Sequence, residues 1–372
     1  MKFSIPSKSL LSQLTLVSKV VNSKNSISIL DNFLFELSDS QLAITGSDSE
    51  TTLSTRVNVV EGEGEGKFAV NVKKLLDLLK ELPDQPLLFE IDDNTFEIII
   101  TYQNGQYNFV GIDGNEFPQR SAMDVAAKTY SISVKEILAG IDHTLFASGA
   151  DELHPIMMSV YWNISPDNVV FVATDTHKLV RYTNNRIQTG VEDSFILPTK
   201  PANILKSVLV KEEGEVKIST DAKGAVFESA SFTLSCRFVN GRYPNYNSVI
   251  PQNNPYKLVV DRVSLLNAIR RVSVFANASG LVMFQLRNNE IYMKAEDREF
   301  STMAEERMAC EYQGEEMLIG FNNSRTLDVL NNINADTVVV NLSGPARAGV
   351  FLPEVQEEGE EMLVLLMPMM VS

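Results

Sequence analysis

Hydrophobic positions along this chain first alternate and then wind, and they do so three times. Phe3 and Ile5 flank Ser4 as in a strand with one buried face, and Leu10, Leu11 and Leu14 follow at amphipathic-helix spacing. The succession returns as Tyr130-Ser131-Ile132 ahead of Ile137, Leu138 and Ile141, and as Leu258-Val259-Val260 ahead of Leu265, Leu266 and Ile269. Counted from Ile5, the equivalent residues Ile132 and Val260 lie 127 and 255 positions on. A second anchor, Ile44-Thr45-Gly46-Ser47-Asp48, is matched by Val172-Ala173-Thr174-Asp175 and more loosely by Met293-Lys294-Ala295-Glu296-Asp297. A third, Phe68-Ala69-Val70 before Lys73 to Leu79, returns as Phe195-Ile196-Leu197 before Lys200 to Ser207 and as Ile319-Gly320-Phe321 before Arg325 to Leu330. The pattern therefore predicts two helices and many strands per copy, with helices over 7–21, 72–82, 133–147, 200–207, 261–275 and 323–333.

Three independent anchors at nearly one spacing mark a triplication, and a period near 125 is too long for a solenoid, so each copy is a domain with its own core. Asn115-Glu116-Phe117-Pro118 and Gly241-Arg242-Tyr243-Pro244 close the first two copies. Linkers are expected near 120–127 and 247–256, giving domains 1–122, 123–251 and 252–372. The fold class is α+β, helices packed on antiparallel sheets.

Composition narrows the class. With 372 residues, 44% hydrophobic and 22% charged, the chain is neither disordered nor collagen-like. Cys236 and Cys310 are too few for a disulfide framework and read as buried thiols in a reducing compartment. The N-terminal stretch has only Lys2 before its apolar part, which Ser7, Ser9, Ser12 and Gln13 interrupt, so no secretion signal is expected. No apolar run is long enough to span a membrane, and the expected address is the cytoplasm.

Net charge is −16, from 32 Lys and Arg against 48 Asp and Glu, which on average repels nucleic acid. The average conceals a partition, because the six helix windows together carry +6 and leave −22 for the rest. Domains set edge to edge would let the helices line one wall and present Lys8, Lys19, Lys73, Lys74, Lys80, Lys200, Lys206, Arg262, Arg270 and Arg271 to a polyanion. Contacts of that kind are with phosphate, salt-sensitive and indifferent to sequence.

Catalytic chemistry is thin. Glu61-Gly62-Glu63-Gly64-Glu65-Gly66-Lys67 departs from a phosphate loop at Glu61 and Phe68, its glutamates repel phosphate, and a glycine-rich hairpin turn is the expectation. Asp175 and His177, with Thr174 or Thr176 as nucleophile, would make a hydrolase, but the Asp recurs at 48 and 297 without the His, which favours a turn role. His143 and His154 stand apart from carboxylate or thiol clusters, so neither a metal site nor a cofactor is expected.

Five segments, the N-terminal MKF, VATDTHKL at 172–179, NGRYPNY at 240–246, GFNNSRTLDVLNNI at 320–333 and LLMPMM at 365–370, resemble the bacterial sliding-clamp family, the beta subunit of DNA polymerase III, and the likeness runs end to end. The resemblance implies three tandem clamp domains, a head-to-tail dimer closing a six-domain ring around double-stranded DNA, and a noncatalytic processivity factor that tethers polymerase. It implies DNA contacts at Lys24 and in the loop Ala150 to Pro155, where Leu153-His154-Pro155 replaces the aromatics of some relatives. It implies an apolar pocket for short linear motifs of polymerases, clamp loader and repair proteins. Carried over by motif, the pocket comprises Ile156, Thr174, Thr176, His177, Lys178, Leu179, Pro244, Val249, Asn322, Arg325, Leu365, Leu366, Met367, Pro368 and Met369. Thioethers suit a surface that accepts varied ligands. Ring closure would join the first domain to the third of another copy by strand pairing, with Tyr107 and Phe109 on one edge and Val274 and Phe275 on the other. The competing readings are a peptide-binding scaffold that does not encircle DNA and the hydrolase built on Asp175 and His177.

Overall fold

The computed structural model describes residues 1–22, 25–38, 40–119 and 123–371. Six α-helices lie in it: α1 Ser7–Val17, α2 Val72–Glu81, α3 Val134–Thr144, α4 Thr199–Leu209, α5 Arg262–Ser273 and α6 Asn323–Asn332. Each follows directly on a strand, as the alternating-then-winding pattern requires. Helix starts carry side-chain caps where the sequence supplies Asn or Asp: Asn71 accepts from Lys74 N, Asp261 from Ser264 N and Asn322 from Arg325 N. The Ser264 bonds hold the Asp261 carboxyl below its ordinary range.

The chain forms two compact units, Met1–Leu138 with Lys200–Phe238, and Ala139–Thr199 with Val239–Ser372. In the first unit a five-stranded sheet runs Glu61–Glu63, Lys2–Pro6, Pro86–Ile91, Glu97–Tyr102, Gly105–Val110. A nine-stranded sheet follows the order Ile112–Asp113, Gly66–Asn71, Asn32–Ser38, Gln41–Ser47, Thr51–Asn58, Phe232–Arg237, Gly224–Glu228, Glu215–Thr220, Lys128–Ser133. The unit's core is aromatic, with Phe3 stacked on Phe89 at 4.7 Å and Phe35 on Phe68 at 5.0 Å, all buried. Each such ring contributes about 1.5–3 kcal/mol by leaving water.

The second unit repeats the plan. Its nine-stranded sheet runs Asp193–Pro198, Ser159–Ile164, Val169–Thr174, Lys178–Asn184, Glu360–Leu366, Gly349–Pro353, Thr337–Leu342, Tyr256–Asp261, Glu311–Tyr312. A four-stranded sheet runs Thr302–Ala309, Glu290–Asp297, Leu281–Arg287, Met317–Asn322. Trp162 is fully buried against Phe171 and Phe195. Each nine-stranded sheet is shared between sequence copies: Leu53 lies opposite Leu234, and Val180 opposite Val364. The strands of the second copy are therefore divided between two sheets, a feature that periodicity alone does not reveal.

The repeated Asp closes a hairpin in all three copies. Asp48 Oδ1 accepts the N–H groups of Glu50 and Thr51 at 3.0 and 2.7 Å. Asp175 Oδ1 accepts those of His177 and Lys178 at 2.9 and 2.7 Å, and Asp297 Oδ1 those of Glu299 and Phe300 at 2.9 and 3.2 Å. Ser49 and Thr176 take positive φ directly after the first two, strain that the side-chain turn offsets, and Ser301 does so four residues after the third. The Gly-Glu run at 61–67 corrects an expectation. Glu61–Glu63 pairs with Lys2–Ser4 and Gly66–Asn71 with Asn32–Leu37, so the segment crosses between two sheets instead of closing a hairpin. Gly64, at φ +79°, makes that crossing, and a Cβ there would stand 3.5 Å from Met1 Cα. Cys236 is buried and its thiol is pushed up to about 12, whereas Cys310 is only half-buried and is pushed up to about 11.

Candidate partner-peptide site

Every pocket residue carried over by motif falls in the second unit. Thr174 Oγ1 donates to the Lys178 carbonyl at 2.8 Å and accepts from Thr176 N at 3.1 Å, so the Asp175 turn projects Thr176 and His177 into solvent. Lys178 is buried. Its ammonium lies 3.2 Å from Asp175 Oδ2 and 3.3 Å from Asp328 Oδ2 on α6, two carboxylates that compensate its desolvation. The turn is thereby tied to the helix of the third copy.

The C-terminal tail crosses the turn. Met367 N donates to the His177 carbonyl at 2.8 Å, and Met369 N to the Gly320 carbonyl at 2.8 Å. Met367-Pro368-Met369 thus passes from the nine-stranded sheet to the strand Met317–Asn322. Gly320 permits this approach, because a Cβ would meet Leu281 Cδ1 at 2.6 Å and Met369 O at 3.1 Å. Asn322 holds the far side: its Oδ1 caps α6 at Arg325 N, 3.0 Å, and its Nδ2 donates to the Ser279 carbonyl at 2.9 Å.

The floor is apolar. Val172, Leu179, Ile196, Tyr243, Ile250, Ala348, Val350, Leu363 and Leu365 form one buried cluster, with Ile156, Tyr161 and Tyr246 packed against it. Tyr243 stacks on Tyr161 at 4.8 Å, and burial pushes its phenol well up. Gly241, at φ +136°, lets Ile156 lie where a side chain would otherwise stand. Of the other motif residues, Val249 and Met367 are 56% and 44% exposed, Pro244 is exposed, and Pro368 and Met369 are half-buried. Leu179, Leu365 and Leu366 are core residues below the surface, not rim. The stack of Tyr161 on Tyr243 and the Lys178–Asp328 pair were not marked in the sequence; only the aromatic in NGRYPNY signalled the first.

Acid–base chemistry has no place here. Asp175 spends one oxygen on the turn and the other on Lys178. His177 Nδ1 lies 3.3 Å from Thr176 Oγ1 and 3.4 Å from the Asp175 carbonyl, not against the carboxylate, and Thr174 donates to a backbone carbonyl. Among the described residues no group of three or more His, Cys, Asp or Glu is placed to hold a metal ion.

Family models match nearly the whole length: the DNA polymerase III beta subunit N-terminal domain over residues 1–121, its central domain over 131–245 and its C-terminal domain over 247–370. The chain belongs to the DNA polymerase III beta-subunit family. A beta sliding clamp of Pseudomonas aeruginosa is 28% identical over 340 residues, 91% of this chain and 92% of the relative, and one of Staphylococcus aureus is 24% identical over 95% and 96%. The crystal structure of a P. aeruginosa sliding clamp bound to griselimycin superposes with TM-score 0.93 at 26% identity, covering 100% of both chains. The beta subunit from Streptococcus pyogenes DNA polymerase has the same fold, TM-score 0.93 at 20% identity, again covering 100% of both chains. The chain is a sliding clamp, a noncatalytic processivity factor of the polymerase.

For a clamp, the cationic helix residues divide by environment. Lys8, Lys73, Lys74 and Lys80 are exposed on α1 and α2, with Asp77 4.0 Å from Lys80. Lys19 donates to Ser207 Oγ at 2.8 Å, and Lys206 is half-buried on α4. Lys200 is engaged with Val20 O, Asn22 and Asp48, Arg262 with the Leu330 and Ala335 carbonyls, and Arg270 with Asn331 at 3.5 Å. Arg271 pairs with Glu306, whose carboxyl it holds below the ordinary range. Lys24 lies outside the described residues. In the 150–155 loop Leu153 is exposed and His154 pairs with Asp151 at 2.8 Å.

The sheet edges correct one expectation about pairing. Tyr107 and Phe109 lie on Gly105–Val110, one of the two outermost strands of the five-stranded sheet, where Tyr107 stacks on Tyr102 at 5.0 Å. Val274 and Phe275, 78% and 38% exposed, sit in the turn after α5 and not on a strand. One of the two outermost strands of the four-stranded sheet is Thr302–Ala309, which sequence reasoning missed because Thr-Met-Ala-Glu-Glu-Arg-Met-Ala alternates weakly.

Proposed function

We propose that this clamp acts as half of a head-to-tail dimer, a six-domain ring that holds duplex DNA by enclosure and receives polymerase motifs in the groove over the Val172–Leu365 cluster. The domains are taken as 1–122, 123–251 and 252–372, which the spans of the three family models support. Enclosure reconciles a net charge of −16 with DNA as partner, since a ring need not adhere to what it surrounds. The exposed Lys8, Lys74 and Lys80 of α1 and α2 would answer phosphate in the bore. Tyr107, Phe109, Val274 and Phe275 would lie at the ring-closing contacts. Among the described residues no helix is long and apolar enough to cross a membrane, in keeping with a cytoplasmic place of work.

The single observation that carries the peptide groove is the tail anchored on the His177 and Gly320 carbonyls. It leaves Met367 exposed and Pro368 and Met369 half-buried, directly after Leu365 of the buried apolar cluster and Leu366. Two apolar side chains of a peptide seated there would contribute about 3–6 kcal/mol. Ending the chain at Leu366 is expected to weaken binding of a polymerase-derived peptide at least about tenfold by fluorescence anisotropy, with the dimer unchanged in sedimentation. Unaltered affinity would remove the groove assignment.

A further inference from the structure

The three copies can be equated residue by residue from their strand registers and backbone hydrogen bonds. After α1, Lys19 N, Val20 N and Val21 N donate to Leu16 O, Val17 O and Ser18 O. After α5, Val274 N, Phe275 N and Ala276 N donate to Arg271 O, Val272 O and Ser273 O. Val20 thus corresponds to Phe275 and Asn22 to Asn277. Phe33 lies opposite Val70 as Val160 lies opposite Leu197, which equates Lys73 on α2 with Lys200 on α4. Asp48 and Asp297 close matching hairpins.

Where the first copy joins the second, Lys200 Nζ is received by three acceptors: Val20 O at 2.7 Å, Asn22 Oδ1 at 2.6 Å and Asp48 Oδ2 at 2.5 Å. Asp48 is nearly buried there, its side chain 7% exposed. Where the second copy joins the third, the equivalent positions hold Ala147, Gly149 and Asp175, with Ser324 at the lysine's position. Lysine and asparagine disappear together, and the Lys178–Asp328 pair occupies that junction instead. The third set, Phe275, Asn277 and Asp297, has its asparagine back, and among the described residues no lysine is bonded to it. Among the described residues neither Asp297 Oδ2 nor Lys73 Nζ has an ion-pair partner.

We propose that the Phe275 carbonyl, Asn277 Oδ1 and Asp297 Oδ2 form a lysine receptor for the partner subunit's Lys73, a contact that rests on the ring reading and fixes its register. Asn277 Oδ1 at present accepts the Ser279 N–H at 3.0 Å and its hydroxyl at 2.6 Å, and the incoming ammonium takes the place of the hydroxyl. The strands agree. Tyr107 lies opposite Ile100 as Leu234 lies opposite Phe227 and Val364 opposite Phe351. Ala304 lies opposite Ala295 as Leu53 lies opposite Gly46 and Val180 opposite Ala173. Since Leu234 meets Leu53 and Val364 meets Val180, the partner subunit's Tyr107 meets Ala304. Half-buried Tyr107 and Phe109 then share a face with half-buried Ala304 and Glu306, whereas a one-residue slip would oppose inward to outward positions. Lys73 accordingly serves ring closure, not the DNA-facing wall.

The test is a double-mutant cycle on the full-length protein. Lys73→Met and Asp297→Asn, which keeps the Oδ1 turn acceptor, are each expected to raise the dimer dissociation constant about tenfold in sedimentation equilibrium, with the double variant no worse than either. Circular dichroism checks that each variant folds, and Lys80→Met serves as a charge-matched control. A Cys310→Ser background carrying Tyr107→Cys and Ala304→Cys is expected to form a disulfide-linked dimer. If wild type is monomeric throughout, the ring reading fails. If it dimerises but Lys73→Met and Asp297→Asn are silent or additive, or Tyr107→Cys couples to Thr302→Cys or Glu306→Cys instead, the receptor assignment fails and the ring stands.

Discussion

His143 shows how one side chain couples burial to pH. It lies against Tyr182 with ring centroids 4.7 Å apart, and burial lowers its pKa below 6.5 against a weaker opposing pull from Asp142. The unfolded chain therefore binds this proton more readily than the folded one, so stability falls as pH drops through the ordinary histidine range toward the folded value. Urea midpoints should decline between pH 7.5 and about 5.5, and His143→Gln should flatten that part of the curve. The carboxyls of Asp261 and Glu306, held low, contribute stability above the carboxylate range and lose it only in stronger acid. The two windows are separable.

At the level of elements, Asn322 both ends a strand and starts α6. Asn322→Ala removes the cap on Arg325 N and the bond to the Ser279 carbonyl, and about 1–2 kcal/mol of stability should go with them in urea denaturation. Asn322→Asp keeps the acceptor and should recover most of it. Helices, hairpin Asp residues and strand-to-helix order were legible in the sequence, because apolar spacing and turn chemistry are local. Strand sharing was not, since Leu53 and Leu234 carry no mark of one another. The site was legible only as motifs: VATDTHKL pointed to the turn, but that Lys178 would be buried under Asp328 depends on a residue 150 positions away. The Thr302–Ala309 edge was missed because neither face of that strand is strongly apolar.

For the molecule as a whole, enclosure and adhesion make different demands on salt. A ring loaded on closed circular DNA should stay through a salt challenge that strips phosphate contacts, and leave when the circle is linearised. Gel filtration of loaded complexes before and after cutting measures this, and equal release from both forms would point to adhesion.

The shared sheets also set a schedule for synthesis. Val180 waits for Val364, and Leu53 for Leu234, so each nine-stranded sheet stays incomplete while some 180 further residues leave the ribosome. At 5–20 residues per second the delay is roughly 10–40 s. During that time the strand Lys178–Asn184 presents an unpaired edge to solvent, an opening for chaperones or for pairing with another nascent chain.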